Sequence, residues 1–312
     1  MAIKNADRNF IERVFEEAYQ KGLSATSSGH KADYIPELAK ADENAFGICA
    51  MDKNGEFVGI GDIDTRFSMQ SISKVLTLSA AIEIMGFDEV FSNVMFEPSG
   101  DGFNSIVKLD TVSNLPYNPM INAGAIQIAS MLADNVSFDN LLDFAREFCH
   151  DSKIELNEPV YRSECETGDR NRAIAYLLKS KGVLKTDIEK TCDLYFKMCS
   201  LNVTARSLAG MGLIISNDGV NPFTERRYIS HENVRTLKSI MFSCGMYDRS
   251  GEFSVKVGVP AKSGVGGGIV CAARGPLGIG IYGPALDCKG NSAAGVAAME
   301  HISSSLNLHI FD

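Results

Sequence analysis

Hydrophobic and polar positions change their period three times along this chain. Near the N-terminus, Phe10, Ile11, Val14, Phe15, Ala18 and Tyr19 recur at three- and four-residue steps, the spacing of a surface helix with one buried stripe. Between residues 45 and 63, "AFGICAMDKNGEFVGIGDI", two short apolar runs flank Asn54-Gly55. Asn-Gly between such runs predicts a tight hairpin whose two turn residues both take positive φ. Helical spacing then dominates as far as residue 244: "NAGAIQIASMLA", "SFDNLLDFAREFC" with Ser137 as N-cap, "DRNRAIAYLLKSKG", "TDIEKTCDLYFKMCS", "TARSLAGMGLIISNDG" and "HENVRTLKSIMFSCG". Gly182 and Gly219 close two of these as C-terminal stops. Beyond residue 251 the segment "FSVKVGVPAKSGVGGGIVCAARGPLGIGIYGPALD" is β-branched, glycine-rich and alternating, which predicts three antiparallel strands. A small-residue helix, "SAAGVAAMEHISSSLNL", ends the chain.

The order helix, hairpin, helical block, three strands, helix predicts an α+β fold. Both chain ends contribute to a five-stranded antiparallel sheet flanked by helices. The first and last helices cover one face and the inserted helical subdomain the other. Residues 1–75 and 245–312 form the sheet part and residues 76–244 the helical subdomain, within one domain.

Composition narrows the function without naming it. The 312 residues are 45% apolar and 22% charged, as in an ordinary globular protein. The net charge is −9 and there is no basic cluster, which argues against nucleic acid and anionic membrane as partners. No apolar run reaches the length of a membrane span, and residues 1–23 lack a signal core, so the cytoplasm is the expected compartment. Eight cysteines without a C-x-x-C pair read as free, mostly buried thiols. The five histidines form no H-x-x-x-H or H-E-x-x-H pattern, so neither a metal nor a cofactor is expected.

The candidate chemistry begins at "SMQSISKVLTLSAAIE", residues 68–83. Ser71 and Lys74 are three apart and share a helix face. A serine needs a neighbouring base to become a nucleophile, and a desolvated lysine with a lowered pKa can be that base. At a helix start the Ser71 N–H is also unpaired and available to a developing oxyanion. S-x-x-K alone is common by chance. A second motif, "PAKSGVGGG" at 260–268, gives it weight, because S-x-x-K with K-[ST]-G is the pairing of penicillin-recognising serine enzymes. The N–H of Val265, just past that strand, would complete an oxyanion hole with that of Ser71. A third stretch, "YRSECETGDRNRAIAYL" at 161–177, is dense in charge and amides. In it Glu164 suits a substrate ammonium and Asn171 a substrate carboxylate, although a solvated polar loop and helix cap would look the same. Asn122, in "YNPMINAGAI", is either an N-cap or a ligand donor at a helix start.

The stretches "YIPELA", "FSMQSISKV", "NPMINAGAI", "SECETGDRNRAIAYLL", "DLYFKMCS", "CGMYDRSGEF" and "VPAKSGVGGGI", in that order, resemble the serine-dependent glutaminase family. That family hydrolyses L-glutamine to L-glutamate and ammonia (EC 3.5.1.2) and has the β-lactamase-like fold. The resemblance implies Ser71 as nucleophile, Lys74 as its activator and Tyr247 as an aid to proton transfer. It implies Tyr34, Gln70, Ser71, Asn122, Glu164, Asn171, Tyr195, Tyr247 and the Val265 backbone as substrate contacts. It also implies a homo-oligomer, dimer or tetramer, and no cofactor. Two other readings compete: a different serine–lysine acylhydrolase, such as a β-lactamase or esterase, and a non-catalytic glutamine sensor. No S-D-N element is evident, which disfavours the β-lactam reading.

Overall fold

The computed structural model describes residues 8–100, 105 and 114–312. Helix α1 (Arg8–Thr26) leads to strands β1 (Gly47–Asp52), β2 (Phe57–Gly61) and β3 (Phe67–Ser68). The helical block follows: α2 (Ser73–Met85), α3 (Phe87–Phe91), α4 (Asn122–Ala133), α5 (Phe138–Phe148), α6 (Glu158–Thr167), α7 (Asp169–Ser180), α8 (Ile188–Cys199), α9 (Ala205–Ser216) and α10 (His231–Cys244), with the short strand β4 (Asn202–Val203) between α8 and α9. The chain closes with α11 (Ser250–Lys256), β5 (Ala261–Ser263), β6 (Gly268–Ala273), β7 (Leu277–Tyr282) and α12 (Ala293–Leu306).

The main sheet has the order β2-β1-β7-β6-β5, with every neighbouring pair antiparallel. Alternation sorts its side chains. Ile48, Ala50, Ile269, Cys271, Ile279 and Ile281 turn toward α1 and α12, where Val14, Phe15, Met299 and Ile302 complete a core. On the other face Cys49, Val270 and Ala272 meet Leu208 and Ala209 of α9. Here β7 presents Gly278 and Gly280. A Cβ at either would overlap the α9 backbone, at Ala209 O and Ala205 O respectively, so these glycines let the helix lie directly on the sheet. The fold is therefore the expected α+β arrangement, with the first and last helices on one face. Ser137 caps α5, accepting from the Asn140 N–H at 3.2 Å, and Gly182 follows α7 with φ +73°.

Three local expectations give way. The β1–β2 connection is a four-residue loop in which Gly55 has φ +81° and Asn54 does not take a positive φ. The buried Asp52 carboxylate accepts the N–H groups of Asn54 (2.8 Å) and Glu56 (3.1 Å), and that capping replaces the tight turn. "FSVKV" is helical, not a strand, and belongs to the end of α11. Phe253 and Val257 are buried one turn apart while Val255 is 79% exposed, a contrast that strand alternation forbids because the three would share a face. Asn122 is the first residue of α4 and not its N-cap. Asn118 Oδ1 accepts the N–H groups of Met120 (2.9 Å) and Ile121 (3.2 Å) just upstream and frees the Asn122 side chain.

Candidate active site

The S-x-x-K motif lies at the junction of sheet and helical block. Ser71 occupies a one-turn 3-10 helix, Gln70–Ile72, between β3 and α2, so the regular helix starts two residues later than the motif suggests. Gln70 has φ +50°, an uncommon conformation for a residue with a side chain, and the Met69 N–H is tied to Leu201 O at 2.8 Å. The glycine-rich segment after β5 lies against this turn. A Cβ at Gly264 would fall 2.7 Å from Met69 O, and one at Gly266 would overlap Ser68 O. Glycine is thus what allows the K-S-G and S-x-x-K segments to touch.

Lys74 is 1% exposed. Its Nζ donates to Asn122 Oδ1 at 2.7 Å and to Met120 O at 3.2 Å. Burial disfavours the ammonium and lowers the pKa to about 8, partly offset by Cys199 and Glu164. The amine is directed at these two oxygens and not hydrogen-bonded to Ser71. The group that meets the serine is Tyr247, in a 3-10 turn Tyr247–Arg249 with φ +52°. Burial holds the pKa of its hydroxyl above the usual phenol range, against the nearby Ser71 side chain and Val265 N–H. The Ser71 N–H has no backbone acceptor among the described residues, so the two amides expected to bind an oxyanion both lie at this point.

A cavity of about 120 Å³ opens over Ser71. It is lined by Tyr34, Gln70, Asn122, Glu164, Asn171, Tyr195 and Val265, with Ile35, Thr167, Arg170 and Cys199 completing the wall. Every residue expected to contact substrate is thereby gathered, with Tyr247 in contact with Ser71 beside the cavity. Four different helices contribute: α4 (Asn122), α6 (Glu164), α7 (Asn171) and α8 (Tyr195). Asn122 Nδ2 donates to Asn171 Oδ1 at 3.0 Å, so the two amides and Lys74 form one chain of hydrogen bonds. Glu164 is 5% exposed and its pKa is raised by burial, against a hydrogen bond from Gln70 and the charge of Lys74. The Tyr34 residue is 55% exposed, yet its hydroxyl faces the cavity, where burial and then Tyr247 and Glu164 raise its pKa. Tyr195 is raised in the same way. The segment carrying Glu164 is helix, not polar loop, with Asn157 as N-cap and Pro159 in the first turn.

Several residues escaped the sequence reading. Cys199 lines the cavity, its thiol 3.8 Å from Ser73 Oγ and pushed up to about 12 by burial, and a cysteine in an apolar helix gives no signal of that. Arg170 is exposed and also borders the cavity. Lys262, visible in K-S-G, is fully buried beneath Tyr247. Among the described residues there is no group of three or more His, Cys, Asp or Glu placed to hold a metal ion.

The antiparallel sheet, the inserted helices and the buried serine–lysine pocket at their junction define a class, the hydrolases of the β-lactamase-like fold. Comparison with known proteins makes this specific. The family model described as Glutaminase matches residues 29–311. Glutaminase 2 of Clostridium perfringens (strain 13 / Type A) is 49% identical over 308 residues, covering 97% of this chain and all of the relative. Among solved structures, a probable glutaminase YbaS superposes with a TM-score of 0.92 at 34% identity, over 98% of this chain and all of that one. The Bacillus subtilis glutaminase YbgJ, in covalent complex with 5-oxo-L-norleucine, gives 0.85 at 37% identity, over 95% of this chain and 98% of that one. The chain belongs to the glutaminase family, amidohydrolases that release ammonia from L-glutamine.

Proposed function

We propose that this glutaminase hydrolyses L-glutamine through a glutamyl ester on Ser71. Glu164 receives the α-ammonium, and Asn122, Asn171 and the hydroxyls of Tyr34 and Tyr195 receive the α-carboxylate. The side-chain amide then lies over Ser71, with its oxygen at the N–H groups of Ser71 and Val265. Neutral Lys74 takes the serine proton as Oγ attacks the amide carbon. The tetrahedral oxyanion is held by the two N–H groups. As the C–N bond breaks, the nitrogen is protonated from Lys74 with Tyr247 in support, and ammonia leaves. Water then attacks the ester, its proton returns through the same groups, and glutamate and free Ser71 result.

The observation that carries this reading is a cavity that gathers Ser71, Val265 and the buried Glu164, with the buried Tyr247 hydroxyl next to Ser71 beside it. The covalent complex of the Bacillus subtilis relative supports it, because 5-oxo-L-norleucine keeps the α-amino acid end of glutamine. Gln70 contributes next to Glu164, whose carboxylate it favours against burial. The two-part division, residues 1–75 and 245–312 against 76–244, fits a site whose nucleophile stands at the seam. The reading extends to the cytoplasm, supported by free cysteines, and to a homo-oligomer, dimer or tetramer, supported by the family resemblance. Neither inference requires a cofactor.

Ammonia release from L-glutamine by wild type, Ser71→Ala and an L-asparagine control tests the reading. Turnover of glutamine that vanishes in a folded Ser71→Ala protein is expected. Near-wild-type turnover in that variant would remove Ser71 from the mechanism. Light scattering of the purified protein checks the oligomer, and a monomer at working concentration would contradict it.

A further inference from the structure

A second cavity lies away from Ser71 and shares no lining residue with the substrate cavity. It has a volume of about 490 Å³, within the range of small-molecule sites. Its apolar lining comes from Val234 and Phe242 of α10, from Pro260 just before β5, and from Ile310 of the C-terminal tail. The tail is fixed there by the Ile310 N–H on Gly258 O at 3.0 Å, so both walls are held by the fold. Over the apolar lining stand Arg235 and Lys238, one helical turn apart on the same face of α10.

The charges at this cavity do not balance. Asp218 is the one carboxylate among its lining residues, and it is already engaged by His231 at 2.6 Å and Arg227 at 3.2 Å. Neither Arg235 nor Lys238 has a carboxylate within 4 Å among the described residues. Lys238 is half-buried, and burial lowers its affinity for its proton, partly offset by the more distant Asp218. A partly desolvated ammonium beside an apolar lining is costly unless an anion meets it.

We propose that this groove between α10 and the C-terminal tail binds a small amphipathic monocarboxylate, its carboxylate on Lys238 and Arg235 and its hydrocarbon body on Val234, Phe242, Pro260 and Ile310. Inorganic phosphate would leave the apolar lining uncovered, and the Asp218 carboxylate at the same cavity opposes a multiply charged anion. A neutral hydrocarbon would leave the two cations unmet. One carboxylate on one short acyl or aryl body satisfies both halves.

Sodium octanoate, kept below its micellar concentration, is the probe, titrated calorimetrically into the full-length protein. Saturable binding of one octanoate per chain is expected, unchanged by saturating L-glutamate. Lys238→Met should weaken it by about tenfold or more, the loss of one charge-assisted contact. Ser239→Trp, an exposed position on the cavity wall, should block it. Both variants should turn over glutamine like wild type, which establishes that they fold. Absence of saturable binding, including through burial of the groove between subunits, would overturn the proposal. So would equal affinity in Lys238→Met, competition by L-glutamate, or binding of octanol or inorganic phosphate as tight as that of octanoate.

Discussion

Lys262 Nζ lies 4.2 Å from the centre of the Tyr247 ring and hydrogen-bonds the carbonyls of Gly245 (3.1 Å) and Ser263 (2.6 Å). The lysine is completely buried, and burial, with Lys74 nearby, drives its pKa well below the usual value. It ties β5 to the end of α10, two residues before Tyr247. The ring that meets Ser71 thus rests on a polar group held by two backbone oxygens.

Lys262→Met should therefore act through Tyr247. The methionine keeps the volume but takes the donor from the Ser263 carbonyl, while Gly245 O keeps the Ser263 N–H at 3.1 Å, and it leaves the ring unsupported. We expect kcat to fall by about a hundredfold, the scale of a misplaced acid–base group, with KM for glutamine changed far less. Circular dichroism should report an intact fold. An equal rise in KM would mean that the lysine shapes the substrate cavity instead.

The pH dependence follows from Lys74. Its pKa is lowered to about 8, so the neutral amine able to take the serine proton grows as pH rises through that value. The rate should climb by about tenfold per pH unit on the acid side and level off above pH about 8. A pH–rate profile of kcat/KM measures this. A rate already flat at pH 6 would show that the reactive base is not Lys74.

Glu164→Gln removes the carboxylate offered to the α-ammonium. A buried charge-assisted contact of this kind is worth roughly 3 kcal/mol, so KM should rise by about a hundredfold. Glutaramate, which has the amide and the carboxylate but no α-amino group, discriminates between explanations. The variant should process it at least as well as wild type. A parallel loss on glutaramate would point to general collapse of the site.

Gly280→Ala tests the packing of the sheet. Its added methyl meets backbone at Ala205, which cannot turn aside like a side chain. Helix α9 must lift from β7, and we expect a loss of about 3 kcal/mol or more, read as a lowered urea midpoint. Wild-type stability would mean that α9 moves freely on the sheet.

Much of this was written in the chain. The changes of hydrophobic period marked the sheet and the helical block, because each element must bury one face and its spacing shows which. Ser71, Lys74 and Lys-Ser-Gly were legible as motifs, and the family resemblance supplied the three tyrosines, which no spacing distinguishes from packing residues. The misread segments were short: in "FSVKV" three alternating apolar residues fit either period, and at Asn54-Gly55 a buried aspartate overrode the turn preference.

Tertiary structure decided how these groups are joined. Lys74 was expected beside Ser71, since three residues on a helix share a face. Its amine donates to Asn122 at the start of α4 and to Met120 just before it, and Tyr247, 176 positions along the chain from Ser71 by residue number, lies against the serine. A pKa near 8 for Lys74 likewise belongs to no sequence motif; it arises because packing removes water from the ammonium. Sequence set which residue types were present and which faces they buried. Burial and long-range contact set their charge and their partners.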